Sequence, residues 1–287
     1  MDFKNVKELL ALCEEHNVTI SKIMMKRECD VFETTEKEVE DKLKVSLKIM
    51  RDAINQALEK DIESMGGLLH GESKKLDAYL KRNKLFENEI SSKAAAYALG
   101  VIEVNASMGL IVAAPTAGSS GVIPGCLFAL QEKAQLTEEE MLQGLLNASA
   151  IGYLITRNAN VSGAQGGCQA EVGSAAAMSA SMICELLGGT PTQCTHAASH
   201  ALMNLLGLVC DPICGLVEVP CQTRNAIGAS DAFISAQLAL SGVPNVLPLD
   251  EMIQVMDDVG RSLPITLRET ALGGSAIAPS ACKKCIK

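Results

Sequence analysis

The apolar positions along this chain follow a helical period. Between Thr35 and Gly67 they recur at spacings of three and four residues, which places them on one face of a long helix: Val39, Leu43, Leu47, Met50, Ile54 and Leu58. The pair Gly66–Gly67 then supplies a helix stop signal. No alternating run of Val, Thr and Tyr predicts a strand. The pattern therefore predicts an all-α fold.

The composition changes near position 90, where charge falls and Ala, Gly and Ser become frequent. Beyond it the pattern predicts helices at 91–108, 121–132, 137–155, 169–187, 194–208, 223–240 and 250–260. The segment from Gln169 to Leu187 carries Ala, Gly, Ser and Met nearly all round. A surface helix would have a polar face. We therefore predict that this helix is central and buried.

Composition and charge exclude some classes of function. The formal net charge of −9 argues against a nucleic-acid surface, which needs clustered Lys and Arg. No apolar run reaches the roughly 20 residues of a membrane span. The first residues, "MDFKNVKELLALCEEHN", are amphipathic and are not typical of a signal peptide. We expect a cytoplasmic protein, in which thiols stay reduced.

Eleven cysteines, an odd number, point in that compartment to metal binding or catalysis rather than to a disulfide framework. Cys168 follows two glycines in "GAQGGCQAEVG", and Cys210 and Cys221 enclose the turn in "LVCDPICGLVEVPC". Helix starts and glycine-rich turns offer N–H groups to a thiolate. Three thiolates can hold a [4Fe–4S] cluster and leave one iron open to substrate. The alternative is that these cysteines fill the core as small apolar residues.

Three long blocks carry a family resemblance: "NASMGLIVAAPTAGSSGVIPG", "GAQGGCQAEVGSA" and "NLLGLVCDPICGLVEVPCQTRNAIGA". They resemble the α subunit of the iron–sulfur-dependent L-serine dehydratases (L-serine ammonia-lyases), and the likeness runs nearly end to end. The resemblance implies a helical catalytic domain and a [4Fe–4S] cluster with one iron that no cysteine binds. Its metal ligands match Cys168, Cys210 and Cys221, and Cys214 is expected to be a neighbour.

The resemblance also implies a β subunit as partner, hence a hetero-oligomer acting on L-serine. We expect one catalytic domain over 1–287, made of a charged helical region (1–85), a cluster and substrate region (90–270) and a tail (271–287). Cys282 lies where single-chain relatives carry a terminal cysteine that folds back towards the open iron. It either takes that role as a tail ligand or lies in an exposed tail, and with Cys285 it could also form a redox dithiol or half a zinc site.

Further candidates surround a loop of small residues, "APTAGSSGVIPG", which lies just ahead of a helix. Such loops direct N–H groups and hydroxyls at an anion, here the carboxylate of a serine substrate. The expected substrate-binding residues are Thr116, Ser119, Ser120, Asn105 and Ser107. Arg224, which could clamp a carboxylate or cap a helix, and Asn225 are the candidate catalytic residues.

The predicted reaction removes hydroxide from C3 of L-serine and a proton from C2, and it ends in pyruvate and ammonia. The four histidines are poor candidates for the base, which we expect on the partner. Two alternatives stay open. One is L-cysteine desulfidation at the same cluster, and the other is a non-catalytic protein in which the cysteines hold a structural metal.

Overall fold

The computed structural model describes residues 1–86 and 89–285, and within these ranges it is all-α, as the sequence predicts. Two isolated β-bridges, Glu63 with His70 and Cys210 with Arg268, are the extended pairings in this part of the chain. The α-helices are Val6–His16 (α1), Ile20–Phe32 (α2), Glu36–Glu59 (α3), Glu72–Arg82 (α4), Ile90–Ala106 (α5), Val122–Ala134 (α6), Glu138–Asn158 (α7), Gly163–Gly166 (α8), Ser174–Leu186 (α9), Pro191–Asn204 (α10), Cys221–Leu240 (α11), Leu249–Ser262 (α12) and Pro279–Lys284 (α13).

Helix starts follow local capping chemistry. Thr35 opens α3 with a capping box, in which its hydroxyl accepts from the Glu38 N–H and the Glu38 carboxylate accepts from the Thr35 N–H. Thr190 and Gln193 form the same box at α10, with Pro191 at the first helical position. The prediction of a helix over 194–208 was therefore wrong at both ends, since α10 begins at Pro191 and ends at Asn204.

The central helix predicted at 169–187 is confirmed as buried. Helix α9 packs against α6, α7, α10 and α11, and every residue from Cys168 to Cys184 is buried except Glu171. The segment is not α-helical throughout, because Gln169–Gly173 form a π-helical turn ahead of α9. Such a turn widens the helix locally and is common at functional sites.

Small residues bring the helices close together. A Cβ on Gly121 would lie 2.3 Å from the Ala98 carbonyl oxygen, and one on Gly125 would lie 2.6 Å from that of Ala94. Both glycines therefore allow α6 to pack directly on the backbone of α5. This contact explains how a core with few aromatic side chains reaches close packing.

The charged first third packs on the rest of the chain through the predicted apolar stripe. Helix α3 packs against α5 and α2 packs against α7. On the α3 stripe Val39, Leu47, Met50 and Ile54 are buried. Within the described residues, no helix has the length and apolar character required to cross a bilayer.

Candidate active site

Three buried thiols converge at the start of the central helix. Cys168 directly precedes the π-helical turn, Cys210 follows α10, and Cys221 is the first residue of α11. The three residues are 2%, 3% and 7% exposed, respectively. A Cβ on Gly163 would lie 3.0 Å from the Cys210 Sγ, so glycine is needed beside this thiol.

Gln169 joins the segments that carry two of these cysteines. Its backbone N–H donates to the Leu208 carbonyl oxygen at 2.9 Å, and its side-chain oxygen accepts from the Gly207 N–H at 2.8 Å. Its amide nitrogen donates to the Met256 carbonyl oxygen on α12 at 2.9 Å. Gln169 is buried, and its three bonds fix the Cys168 turn against the loop that leads to Cys210.

The electrostatic surroundings keep the thiols neutral in the absence of a metal. Burial raises the pKa of Cys168 and Cys210 far above the usual range and that of Cys221 to about 12, and the Glu171 carboxylate adds to each rise. Both the Cys168 and the Cys221 thiols also contribute to the raised pKa of Cys210. A metal that binds here must displace these protons.

The three thiols are near enough to influence one another, but they do not form a site for one ion. Among residues 1–86 and 89–285, no three His, Cys, Asp or Glu side chains lie close enough to hold a single metal ion. A multinuclear cluster spreads its thiolate ligands over several metal atoms. The donor set, three cysteines from separate segments, fits a cluster of that kind.

The loop that contains Thr116, Ser119 and Ser120 lies against this thiol cluster. The Thr116 hydroxyl donates to the Glu171 Oε1 at 2.8 Å, which joins the loop to the π-helical turn. Ser119 and Ser120 are fully buried, and their hydroxyls lie near carbonyl oxygens of their own loop, at 2.8 Å for Ser120 to Ala117. Of the three, Thr116 is the residue with partly exposed surface.

Asn225 holds the same loop onto α11. Its side-chain nitrogen donates to the carbonyl oxygens of Gly118 at 2.7 Å and Cys221 at 2.9 Å, and its oxygen accepts from the Gly121 N–H at 3.1 Å. All the bonds shown are to backbone groups, and the residue is fully buried. Asn225 thus links Cys221 to the loop that contains Thr116.

Arg224 has protein partners as well. Its guanidinium lies 2.8 Å from the Asp211 Oδ1 and donates to the Val209 carbonyl oxygen at 2.6 Å. The other oxygen of Asp211 accepts from the Ser275 N–H at 2.6 Å. Arg224 and Asp211 therefore hold the Cys210 loop between α11 and the start of the tail.

Asn105 and Ser107 lie at the carboxyl end of α5. The Asn105 amide nitrogen is 3.5 Å from the Ala117 carbonyl oxygen, and the Ser107 hydroxyl donates to the Val104 carbonyl oxygen at 2.9 Å. The structure brings Asn105 to the loop that contains Thr116. Ser107 faces its own helix end.

The tail lies against the Cys210–Cys221 segment through a bond that the sequence analysis did not anticipate. Cys214, expected as a neighbour of the thiols, forms a disulfide with Cys285. The expectation that the thiols stay reduced therefore does not describe this pair. Cys282 is a free, exposed cysteine whose Sγ lies 4.0 Å from the Ala276 carbonyl oxygen.

Three carboxylates of this region escaped the sequence analysis. Glu218, buried in the Cys210–Cys221 segment, accepts from the Ser64 hydroxyl at 2.6 Å and from the N–H groups of Gly66 at 2.6 Å and Leu68 at 3.1 Å. It therefore anchors the glycine-rich loop 64–68 beside the site. The available sequence signal was the position of Glu218 between two candidate ligands, Cys210 and Cys221. Composition alone does not distinguish it from a surface glutamate.

Glu103 and Glu171 are the other two carboxylates that the sequence analysis missed. Glu103 is fully buried on α5 and accepts from the Ser73 N–H at 3.0 Å and from the Gln222 amide at 2.8 Å. Burial raises the pKa of Glu103 to about 7, with a further rise from Glu72. Burial also raises the pKa of Glu171 to about 7, although its bond from Thr116 acts in the opposite direction.

The fold and this site define a class of protein: a helical protein with three buried thiols beside a loop of small, hydroxyl-bearing residues. Residues 15–276 match the family model described as serine dehydratase alpha chain. This chain therefore belongs to the serine dehydratase alpha chain family.

Known relatives agree over almost the whole chain. It is 46% identical over 278 residues to a probable L-serine dehydratase alpha chain of Bacillus subtilis, covering 97% of this chain and 92% of the relative. It is 44% identical over 270 residues to the L-serine dehydratase alpha chain of Peptoniphilus asaccharolyticus, covering 94% and 92%. L-serine dehydratase 2 of Escherichia coli is 36% identical over 293 residues, which cover 98% of this chain but 62% of that longer protein.

Proposed function

We propose that this chain is the catalytic α subunit of an L-serine ammonia-lyase, which converts L-serine to pyruvate and ammonia. The observation that carries the proposal is the convergence of three buried thiols beside the Thr116 loop, in a chain that is 44% and 46% identical to L-serine dehydratase alpha chains. Cys168, Cys210 and Cys221 would hold a [4Fe–4S] cluster with one iron that no cysteine binds. When bound, that iron supplies Lewis acidity for the departure of the substrate hydroxyl group.

The chain's own residues orient the substrate. We expect N–H groups of the Thr116 loop to receive the substrate carboxylate, since the Thr116 hydroxyl itself donates to Glu171. Asn225 fixes that loop through Gly118 and Gly121, and Arg224 fixes the Cys210 loop through Asp211. Both are positioning residues in this proposal, because their polar groups already have backbone or carboxylate partners.

The elimination needs a base that removes the C2 proton while hydroxide leaves C3. The first product, aminoacrylate, becomes the imine, and water hydrolyses it to pyruvate and ammonia. We expect the base on a β subunit, because none of the four histidines of this chain is among the residues placed at the site. The complex is then a hetero-oligomer, which we expect in the cytoplasm.

Exposed apolar residues beside the site support a partner surface. Met65, Met108 and Leu110 are 75%, 79% and 71% exposed. The Met65 N–H donates to the Ala106 carbonyl oxygen at 2.9 Å, so loop 64–68 and the end of α5 lie side by side. Large apolar side chains at this exposure are typical of a surface that a partner covers.

Anaerobic assays with a β subunit test the proposed reaction. We expect pyruvate from L-serine, loss of activity in air and recovery with iron, sulfide and reductant. Sulfide release from L-cysteine at a higher kcat/KM than pyruvate release from L-serine would favour the desulfidase alternative instead. Activity unchanged after prolonged aeration, in a preparation without iron, would refute the cluster.

A further inference from the structure

Glu171 is the one residue between Cys168 and Cys184 that is not buried. It lies within the π-helical turn Gln169–Gly173, where the widened backbone interrupts the regular face of the central helix. The buried segment from Cys168 to Cys184 therefore presents one carboxyl group, that of Glu171, to the candidate site.

Two glycines lie against this carboxyl group. A Cβ on Gly118 would lie 3.0 Å from the Glu171 Oε1, and one on Gly163 would lie 2.6 Å from its Oε2. Thr116 donates to Oε1 at 2.8 Å and so fixes the orientation of the group. The carboxyl group is thus held by the Thr116 hydroxyl and the Gly163 backbone N–H, and it is flanked by two glycines.

No lysine or arginine forms an ion pair with Glu171 in residues 1–86 and 89–285, whereas Arg224 of α11 pairs with Asp211. Glu269 adds a second negative charge nearby, since it contributes to the raised pKa of Glu171. A partly buried carboxylate without a cation is costly. A cationic group of a ligand would relieve that cost.

We propose that Glu171 binds the ammonium group of the substrate and so makes the site specific for α-amino acids over 2-hydroxy acids. This inference rests on the proposed function. Thr116 connects the two halves of the recognition, because its loop is placed for the substrate carboxylate while its hydroxyl orients the carboxylate of Glu171. The carboxylate of the amino acid then lies at the Thr116 loop, and its ammonium group lies at the Glu171 carboxylate.

Two small ligands isolate this contact. L-Alanine and L-lactate share a carboxylate and a methyl group and differ at C2, where one carries an ammonium group and the other a hydroxyl. Neither has a C3 leaving group, so their dissociation constants can be measured by calorimetry on the anaerobic holoenzyme without turnover. We expect the wild-type complex to bind L-alanine at least tenfold more tightly than L-lactate.

The variant Glu171→Gln keeps the shape of the side chain and its bond from Thr116 but removes the charge. We expect it to weaken L-alanine binding at least tenfold while L-lactate binding changes less than threefold. Glu171→Asp, which keeps the charge, should retain part of the preference for L-alanine. Iron per chain should be the same in all three proteins.

Glu139→Gln, which removes the same charge from the exposed first turn of α7, is the control. It should change neither dissociation constant by more than twofold. Equal losses in Glu171→Gln and Glu139→Gln would overturn the inference, as would a wild-type complex that binds both ligands alike, or a Glu171→Gln variant that loses its iron. A wild-type complex without pyruvate release would instead contradict the proposed function, whereas the two binding constants would still test the role of Glu171.

Discussion

At the scale of single residues, the site depends on which cysteines are buried together. Cys168, Cys210 and Cys221 are buried and near enough to influence one another, whereas Cys29 is a partly buried cysteine of α2. We expect Cys168→Ser to lower iron from near four per chain to below one after anaerobic reconstitution, because a hydroxyl is a poor ligand for iron–sulfur clusters. Metal analysis measures this.

Cys29→Ser is the control and should keep its iron, and circular dichroism should report similar helix content in both variants. Unchanged iron in Cys168→Ser would contradict the assignment of this thiol. Complete unfolding of Cys168→Ser, with Cys29→Ser folded, would favour a structural metal.

Glu103 makes stability depend on pH. Its pKa is about 7 in the folded protein and near 4.5 for an unburied glutamate. The folded chain therefore binds more protons than the unfolded chain between these values, and this contribution to stability is lost as the pH rises through them. Glu103→Gln removes the titrating group. The free energy of unfolding of Glu103→Gln minus that of the wild type should therefore be about 2 kcal/mol higher at pH 8 than at pH 5.

Urea denaturation at both pH values measures this difference. Glu139→Gln, on the exposed first turn of α7, is the control and should parallel the wild type. A Glu103→Gln variant whose stability follows the wild type at both pH values would contradict a pKa raised by burial.

At the scale of elements, the contact between α5 and α6 tolerates no side chain at two positions. A Cβ on Gly121 would overlap the Ala98 carbonyl oxygen, whereas the nearest atom to a Cβ on Gly173 would be 3.8 Å away. Gly121→Ala should lower the free energy of unfolding by about 2 kcal/mol. Gly173→Ala should lower it little or raise it, because alanine favours helix. Equal effects of the two substitutions in urea denaturation would contradict this account of the packing.

Helices were predictable from sequence because their signals are local. The three-and-four spacing located α3, and the small-residue composition marked Gln169–Leu187 as central. The start of α10 has a local signal as well, the capping box of Thr190 and Gln193, and the helix begins at Pro191, ahead of the predicted start at 194.

The site was predictable only where the family motif names a residue. The partners of Arg224 and Asn225 are backbone groups or a carboxylate brought close by folding, and no spacing along the chain reveals them. Glu171 and Glu218 are ordinary glutamates in the sequence, and burial and neighbours alone distinguish them. The Cys214–Cys285 disulfide links positions 71 residues apart, beyond the reach of any local pattern.

At the scale of the whole molecule, we expect a β subunit to cover the surface formed by Met65, Met108 and Leu110. We expect the double variant Met108→Glu/Leu110→Glu to weaken association with a β subunit at least tenfold, because two charges would be buried at the interface. Ultracentrifugation measures association, and iron per chain should stay unchanged.

Val246→Glu is the control for this surface. Val246 is 90% exposed and lies in the connection between α11 and α12. It should leave association unaltered. Normal association of the double variant, or an equal loss in Val246→Glu, would place the interface elsewhere.

The central claim is that three cysteines of this chain hold a catalytic cluster that acts with a second subunit. The most direct test is to purify the chain anaerobically, alone and with a β subunit, and to measure iron, sulfide and pyruvate release from L-serine on the same samples. We predict near four iron and four sulfide per chain, with pyruvate only when both subunits are present. Zinc in place of iron after anaerobic reconstitution, with no pyruvate from the complex, would contradict the account.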